Sequence, residues 1–130
     1  MNPPRVLIVM AAQWQRALIR AALRNAGYDA VGTVDLADAL SHPTDEDRRG
    51  PVGVIILDRD AVQGPDDPSV RQLLQKHPGS VPLLLESAFH PSVEGAWPHV
   101  LKHPVTIAEI VAETQQLLPL PTPAPHPIDG

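Results

Sequence analysis

Along this chain, unbroken apolar runs of strand length alternate with stretches in which apolar positions recur every three or four residues. The run "RVLIVM", Arg5 to Met10, is β-branched and aliphatic after its first residue, the pattern of a strand buried on both faces of a parallel sheet. Trp14, Ala17, Leu18, Ala21 and Ala22 then follow at helical spacing, with Gln15, Arg16, Arg20 and Arg24 largely off that stripe. A helix is predicted here, with Trp14 and the leucines turned to the core and Asn25-Ala26-Gly27 closing it.

The alternation continues. Asp29 to Val34 reads as a second strand, and Asp35 caps a brief helix carrying Leu36, Ala39 and Leu40. "SHPTDEDRRGP" is polar, charged and bounded by prolines, so an exposed loop is expected. Val52 to Leu57, "VGVIIL", is a third strand that stops at Asp58. A loop rich in Gly, Pro and Asp leads to a helix that starts at Asp66 and Asp67, carries Val70, Leu73 and Leu74, and ends at His77-Pro78-Gly79. Val81 to Glu86 is the fourth strand, ending at Ser87, and His99 to Lys102 a short last one. Thr106 caps a closing helix whose inner face is traced by Ile107, Ile110, Val111, Thr114, Leu117 and Leu118. Beyond it "PLPTPAPHPIDG" favours extended, polyproline-like backbone and cannot build a core. One α/β domain over residues 1–118 is expected, followed by a disordered proline-rich tail over 119–130.

Composition narrows the function. A chain of 130 residues and 14.0 kDa has room for one domain. Its 10 basic residues are scattered against 15 acidic ones, for a formal charge of −5, which disfavours nucleic acid as a partner. Without cysteine there is no disulfide or thiolate chemistry. No apolar run reaches membrane-spanning length and none follows a basic amino-terminal segment, so a soluble cytoplasmic protein is expected, with no membrane partner.

Strands alternating with helices at this spacing imply a doubly wound sheet, and such sheets form their sites outside the carboxyl ends of the strands. Met10, Asp58, Ser87 and Lys102 or His103 all stand at such ends. They should converge.

In order and spacing, "RVLIV", "RALIRAALRNAGYDAVGTVDLADAL", "VGVIILD", "VPLLLESA" and "LKHPVTIAEIVAETQQLL" resemble the response-regulator receiver domain, the flavodoxin-like module of two-component phosphorelays, from about Arg5 to Leu118. The resemblance implies a five-stranded parallel sheet in the order 2-1-3-4-5 with helices on both faces. The stretch between Ser87 and the last strand is short for that family, so the helix joining the fourth and fifth strands should be short or irregular. The resemblance also makes Asp58 the candidate phosphoacceptor, Ser87 the hydroxyl that contacts a phosphoryl oxygen, and Lys102 or His103 the occupant of the conserved-lysine place. Where the family carries a switching aromatic, this chain has His99 or Val100.

The main departure lies at the end of the first strand. Receivers place there two acidic residues that help to hold Mg²⁺, and this chain has Met10 and Ala11. Magnesium is a hard cation that needs oxygen ligands, and a thioether and a methyl group supply none. The expectation is therefore an atypical receiver that is not an enzyme, holds no metal or cofactor, and works by protein contact without phosphorylation. Its partners would be signalling proteins, a histidine kinase or an output protein, with a homodimer as a further option. On this reading Asp58 caps the turn that follows it, and Asp60 is a solvated loop acid. The alternative is a working response regulator that binds Mg²⁺ and is phosphorylated on Asp58 by a histidine kinase. Other chemistry finds less support: His99 and His103 flank a strand ending at Pro104 and share no helix face, Ser87 lacks a GxSxG turn, and "MAAQWQ" offers no glycine to cradle a phosphate.

Overall fold

The computed structural model describes residues 2–64, 66–87 and 97–121. Five strands, β1 (Arg5–Val9), β2 (Asp29–Thr33), β3 (Val52–Asp58), β4 (Val81–Leu85) and β5 (Val100–Leu101), form one parallel sheet in the order β2-β1-β3-β4-β5. Among the described residues the helices are α1 (Gln13–Ala26), α2 (Leu36–Ser41), α3 (Glu46–Arg49), α4 (Pro68–Lys76) and α5 (Ile107–Leu117), with a 3-10 turn at Arg59–Ala61. The expected short helix between the fourth and fifth strands falls on residues 88–96, outside the described residues, as does the tail from 122 onward.

Period-two alternation sorts the strand side chains into two cores. Val6, Ile8, Val54, Ile56, Leu83 and Leu85 point to the layer of α1 and α5, where they meet Ile19, Leu23 and Ile110. Leu7, Val9, Ile55, Leu57 and Leu84 point the other way and meet Leu36 and Ala39 of α2 and Val70 and Leu73 of α4. Because both faces are covered, the central strands need apolar residues at every position, which is why they read as continuous runs. Half-buried Trp97 packs against the second core.

Caps fix where the helices begin. The Asp35 carboxylate accepts from the Asp38 amide at 2.8 Å. Asp67, buried, accepts from Ser69 at 2.9 Å and from Gln63 at 3.0 Å, tying α4 to the preceding loop. Thr106 and Glu109 form a reciprocal capping box at the start of α5. Gly27 closes α1 at φ 113°, a left-handed conformation that favours glycine. The Tyr28 hydroxyl donates to the Leu118 carbonyl at 2.6 Å, joining the end of α1 to the end of α5. Leu118 lies over Gly53, where an added Cβ would come within 2.6 Å of it, and Leu120 packs against Gly27. The chain thus remains in contact with the core through Leu120.

Two expectations are corrected. On α1 the inward face is Ile19, Leu23 and Ala26, while Trp14 is 83% exposed and Leu18 53% exposed. The helix carries two apolar stripes, and the one read from the sequence is the outer one. The stretch after α2 is not a plain exposed loop either. It contains α3 and closes over the amino-terminal edge of the sheet, where the carbonyls of Thr44 and Gly50 accept from the buried Arg5 guanidinium and Arg49 pairs with Asp29.

Candidate functional site

Strand parity assembles the site. Met10 continues the 6-8-10 series of β1, Asp58 the 54-56-58 series of β3, and Ser87 the 83-85-87 series of β4. All three therefore leave the sheet on its α1/α5 side. The registers Val9 with Leu57 and Asp58 with Leu85 keep these strand ends level. The result is a cleft of about 520 Å³ between α1 and α5, walled by Leu18, Ile19, Ile107 and Ile110 and edged by Asp58, Asp60, Glu86, Ser87 and His103.

Met10 sits in that cleft as a core residue. It is 4% exposed and packs in the same apolar cluster as Ile19 and Ile110. Its amide donates to the Thr33 carbonyl at 3.0 Å, carrying the β1–β2 ladder one residue further. Its own carbonyl accepts from Arg16 at 2.8 Å, and the Ala11 carbonyl from the same nitrogen at 3.4 Å. The loop after β1 is thereby held by a guanidinium reaching back from α1, in place of a side-chain cap, which Ala12 cannot supply. Ala11 is exposed and does not line the cleft.

Asp58 is half-buried at the end of β3, and its carboxylate accepts a long bond of 3.5 Å from the Asp60 amide at the 3-10 turn. The Ser87 hydroxyl donates to Asp60 Oδ1 at 2.8 Å. Glu86 Oε1 accepts from the His103 amide at 3.2 Å, which brings the loop after β5 to the cleft. The His103–Pro104 peptide is cis. Lys102 is exposed and lies outside the lining of the cleft. Of the residues singled out from the sequence, Met10, Asp58, Ser87 and His103 converge, and Ala11 and Lys102 do not. Asp60, read from the sequence as a solvated loop acid, also edges the cleft, and Glu86 is the addition. Glu86 is off the parity of Ser87 and reaches the cleft only because the strand has ended.

The electrostatic character follows from the lining. Three carboxylate side chains edge the cleft, and among its described lining residues there is no lysine or arginine. Arg59 donates its guanidinium to the Val62 carbonyl at 2.7 Å. The residues present do not fit the Mg²⁺ that the fold implies. The positions that the resemblance assigns to the acidic pair, Met10 and Ala11, hold a buried thioether and an exposed methyl, and among the described residues no group of three His, Cys, Asp or Glu is placed to hold a metal ion.

No protein-family model matches the chain, and no curated protein matches it in sequence. Solved structures do match. The signal receiver domain of an HD domain-containing protein from Pseudomonas fluorescens Pf-5 superposes with a TM-score of 0.68 at 20% identity, over 90% of this chain and 95% of that one. A response regulator from Thermotoga maritima gives 0.66 at 14% identity over 88% and 97%. The receiver domain of a Francisella response regulator gives 0.64 at 20% over 88% and 95%. The chain has the fold of response-regulator receiver domains, in the flavodoxin-like strand order. At these identities the likeness extends to the fold, and function must be argued from the site. Among the described residues no helix is long and apolar enough to cross a membrane.

Proposed function

We propose that this chain is a receiver-type module of two-component signalling that acts by binding partner proteins, a histidine kinase or an output protein, without being switched by phosphorylation of Asp58. One observation carries the reading: the position where an acidic residue would help to hold a metal is occupied by Met10, buried in the α1/α5 core. Restoring a carboxylate there would put an ionised group into apolar packing, so the site has been given to the fold. The module is proposed to span residues 1–118, to act in the cytoplasm, and to have no enzymatic activity of its own.

The test is incubation of the protein with Mg²⁺ and acetyl phosphate, followed by intact-mass measurement. No adduct of about 80 Da is expected. A Mg²⁺-dependent adduct that disappears in Asp58→Asn would overturn the proposal. The second reading, a phosphoacceptor Asp58 served by a kinase, is favoured by one observation, the presence of Asp58 and Ser87 in one cleft. It requires that Asp58→Asn abolish signalling in cells, whereas constitutive binding leaves signalling unchanged.

A further inference from the structure

Among the described residues nothing packs over the outer face of α1 at Trp14, Ala17 and Ala21. Trp14, Ala17, Leu18 and Ala21 form a solvent-facing stripe at helical spacing, and Trp14 and Leu18 are the two most exposed large apolar side chains among the described residues. The charge on this helix is one-sided as well. It contains Arg16, Arg20 and Arg24 and no acid, although the whole chain carries −5. The neighbouring α5 is its opposite, with Glu109 and Glu113, no base, and a solvent side of Ala108 and Ala112.

We infer that this face is the contact surface for a second copy of the chain, with α1 of one protomer lying on α5 of the other. The argument is one of self-complementarity. Both helices follow strands of a parallel sheet and lie in the same layer, so they run in the same direction. The cleft places Gln15, Leu18 and Ile19 level with Ile107 and Ile110. A two-fold axis running along the helices preserves that level and that direction while exchanging their positions. Trp14 and Leu18 then meet the partner's Ala108 and Ala112, large side chains on small ones. Three arginines lie along a helix that carries two glutamates.

The charges are available for this role. The ion pairs among the described residues are Arg5–Asp29, Arg48–Asp45 and Arg49–Asp29, and none draws on either helix. Arg16 and Arg24 donate to backbone carbonyls and Glu109 is taken up by its capping box, whereas Arg20 and Glu113 make no ion pair within the protomer among the described residues. Two helices of 14 and 11 residues present a small face against the roughly 1,200–2,000 Å² of standard interfaces, so the dimer dissociates on dilution and weakens with salt. This inference goes beyond the proposed signalling role and stands without it, since it makes no use of Asp58.

Sedimentation velocity of the full chain, from about 10 μM to about 1 mM protein at low and high salt, is the test. A reversible monomer–dimer equilibrium, weakened by salt, is expected. Trp14→Ala should weaken it by about tenfold or more, with an unchanged circular dichroism spectrum. Arg20→Glu and Glu113→Lys should each be monomeric alone, while their mixture should form a heterodimer, because both helix contacts become complementary again. A wild-type chain that stays monomeric throughout overturns the inference. So does a dimer that is indifferent to Trp14→Ala, or a pair of monomeric charge variants that fails to combine.

Discussion

The hydroxyl of Ser87 donates to Asp60 Oδ1 at 2.8 Å, joining the end of β4 to the turn after β3 across the mouth of the cleft. The hydroxyl that the receiver resemblance would assign to a phosphoryl oxygen is thus engaged by a carboxylate two residues beyond Asp58. If the contact contributes to holding the loops together, Ser87→Ala and Asp60→Ala are not additive. A double-mutant cycle by urea unfolding should give a coupling of about 1 kcal/mol. Additive losses would show that the bond adds nothing to stability.

Met10 supplies a second measurement. As a buried residue of the α1/α5 core, it should tolerate Met10→Leu at a cost under about 1.5 kcal/mol, because volume and polarity are kept. Met10→Asp places a carboxylate among apolar neighbours near Asp58, and a loss of roughly 2–4 kcal/mol is expected at neutral pH. Equal stability of the two variants in chemical denaturation would mean that the position still accommodates an acidic group, and the argument against phosphotransfer would lose its footing.

The strands were legible in the sequence for a physical reason, and part of α1 was not for an equally physical one. Residues 6–9 and 54–57 are covered on both faces, so their apolar runs admit no other reading once Gly, Pro and Asp mark the turns. The same alternation placed Met10, Asp58 and Ser87 at one end of the sheet. In α1, however, both Trp14-Ala17-Leu18-Ala21 and Ile19-Leu23-Ala26 satisfy the helical period, and periodicity does not say which stripe meets the sheet. Trp14 drew the assignment by size. Ile19 and Leu23, flanked by arginines, are the residues that pack. The four-residue α3 is too short to leave a period, and the destination of Arg5 was hidden because its partners, Asp29, Thr44 and Gly50, are distant in sequence.

That amino-terminal edge carries a third expectation. Asp29 lies between two guanidiniums, Arg49 through two hydrogen bonds, at 2.9 and 2.5 Å, and Arg5 at 3.8 Å, and Arg5 is almost wholly buried. Asp29→Ala leaves both cations without their carboxylate in a site where water cannot fully replace it. A loss of about 3 kcal/mol is expected. Arg49→Ala should cost less, since Arg49 is partly exposed and Arg5 keeps its contacts to Thr44 and Gly50. A larger loss for Arg49→Ala than for Asp29→Ala in guanidinium unfolding would invert this ranking and show that Asp29 does not bind the cluster together.

His77 makes stability depend on pH from the end of α4. Its side chain is 7% exposed, and burial lowers its pKa below the ordinary value. Lys76, Arg5 and His42 add to the effect and Glu46 opposes it. The unfolded chain takes up a proton on His77 near pH 6.5, the folded chain only at lower pH. Between those two pKa values the unfolded state binds the extra proton. Stability contributed by the neutral imidazole is therefore fully present above the unfolded pKa and declines as pH falls through that window, with a slope of at most about 1.4 kcal/mol per pH unit. His77→Leu removes the titrating group, so the difference in unfolding free energy between wild type and variant should be constant from about pH 8 to 7 and then shift against the wild type from about pH 6.5 downward. Taking the difference cancels the carboxylates common to both chains. A difference that stays flat, or that moves in favour of the wild type on acidification, would mean that the imidazolium is accommodated at the end of α4 despite the cations around it.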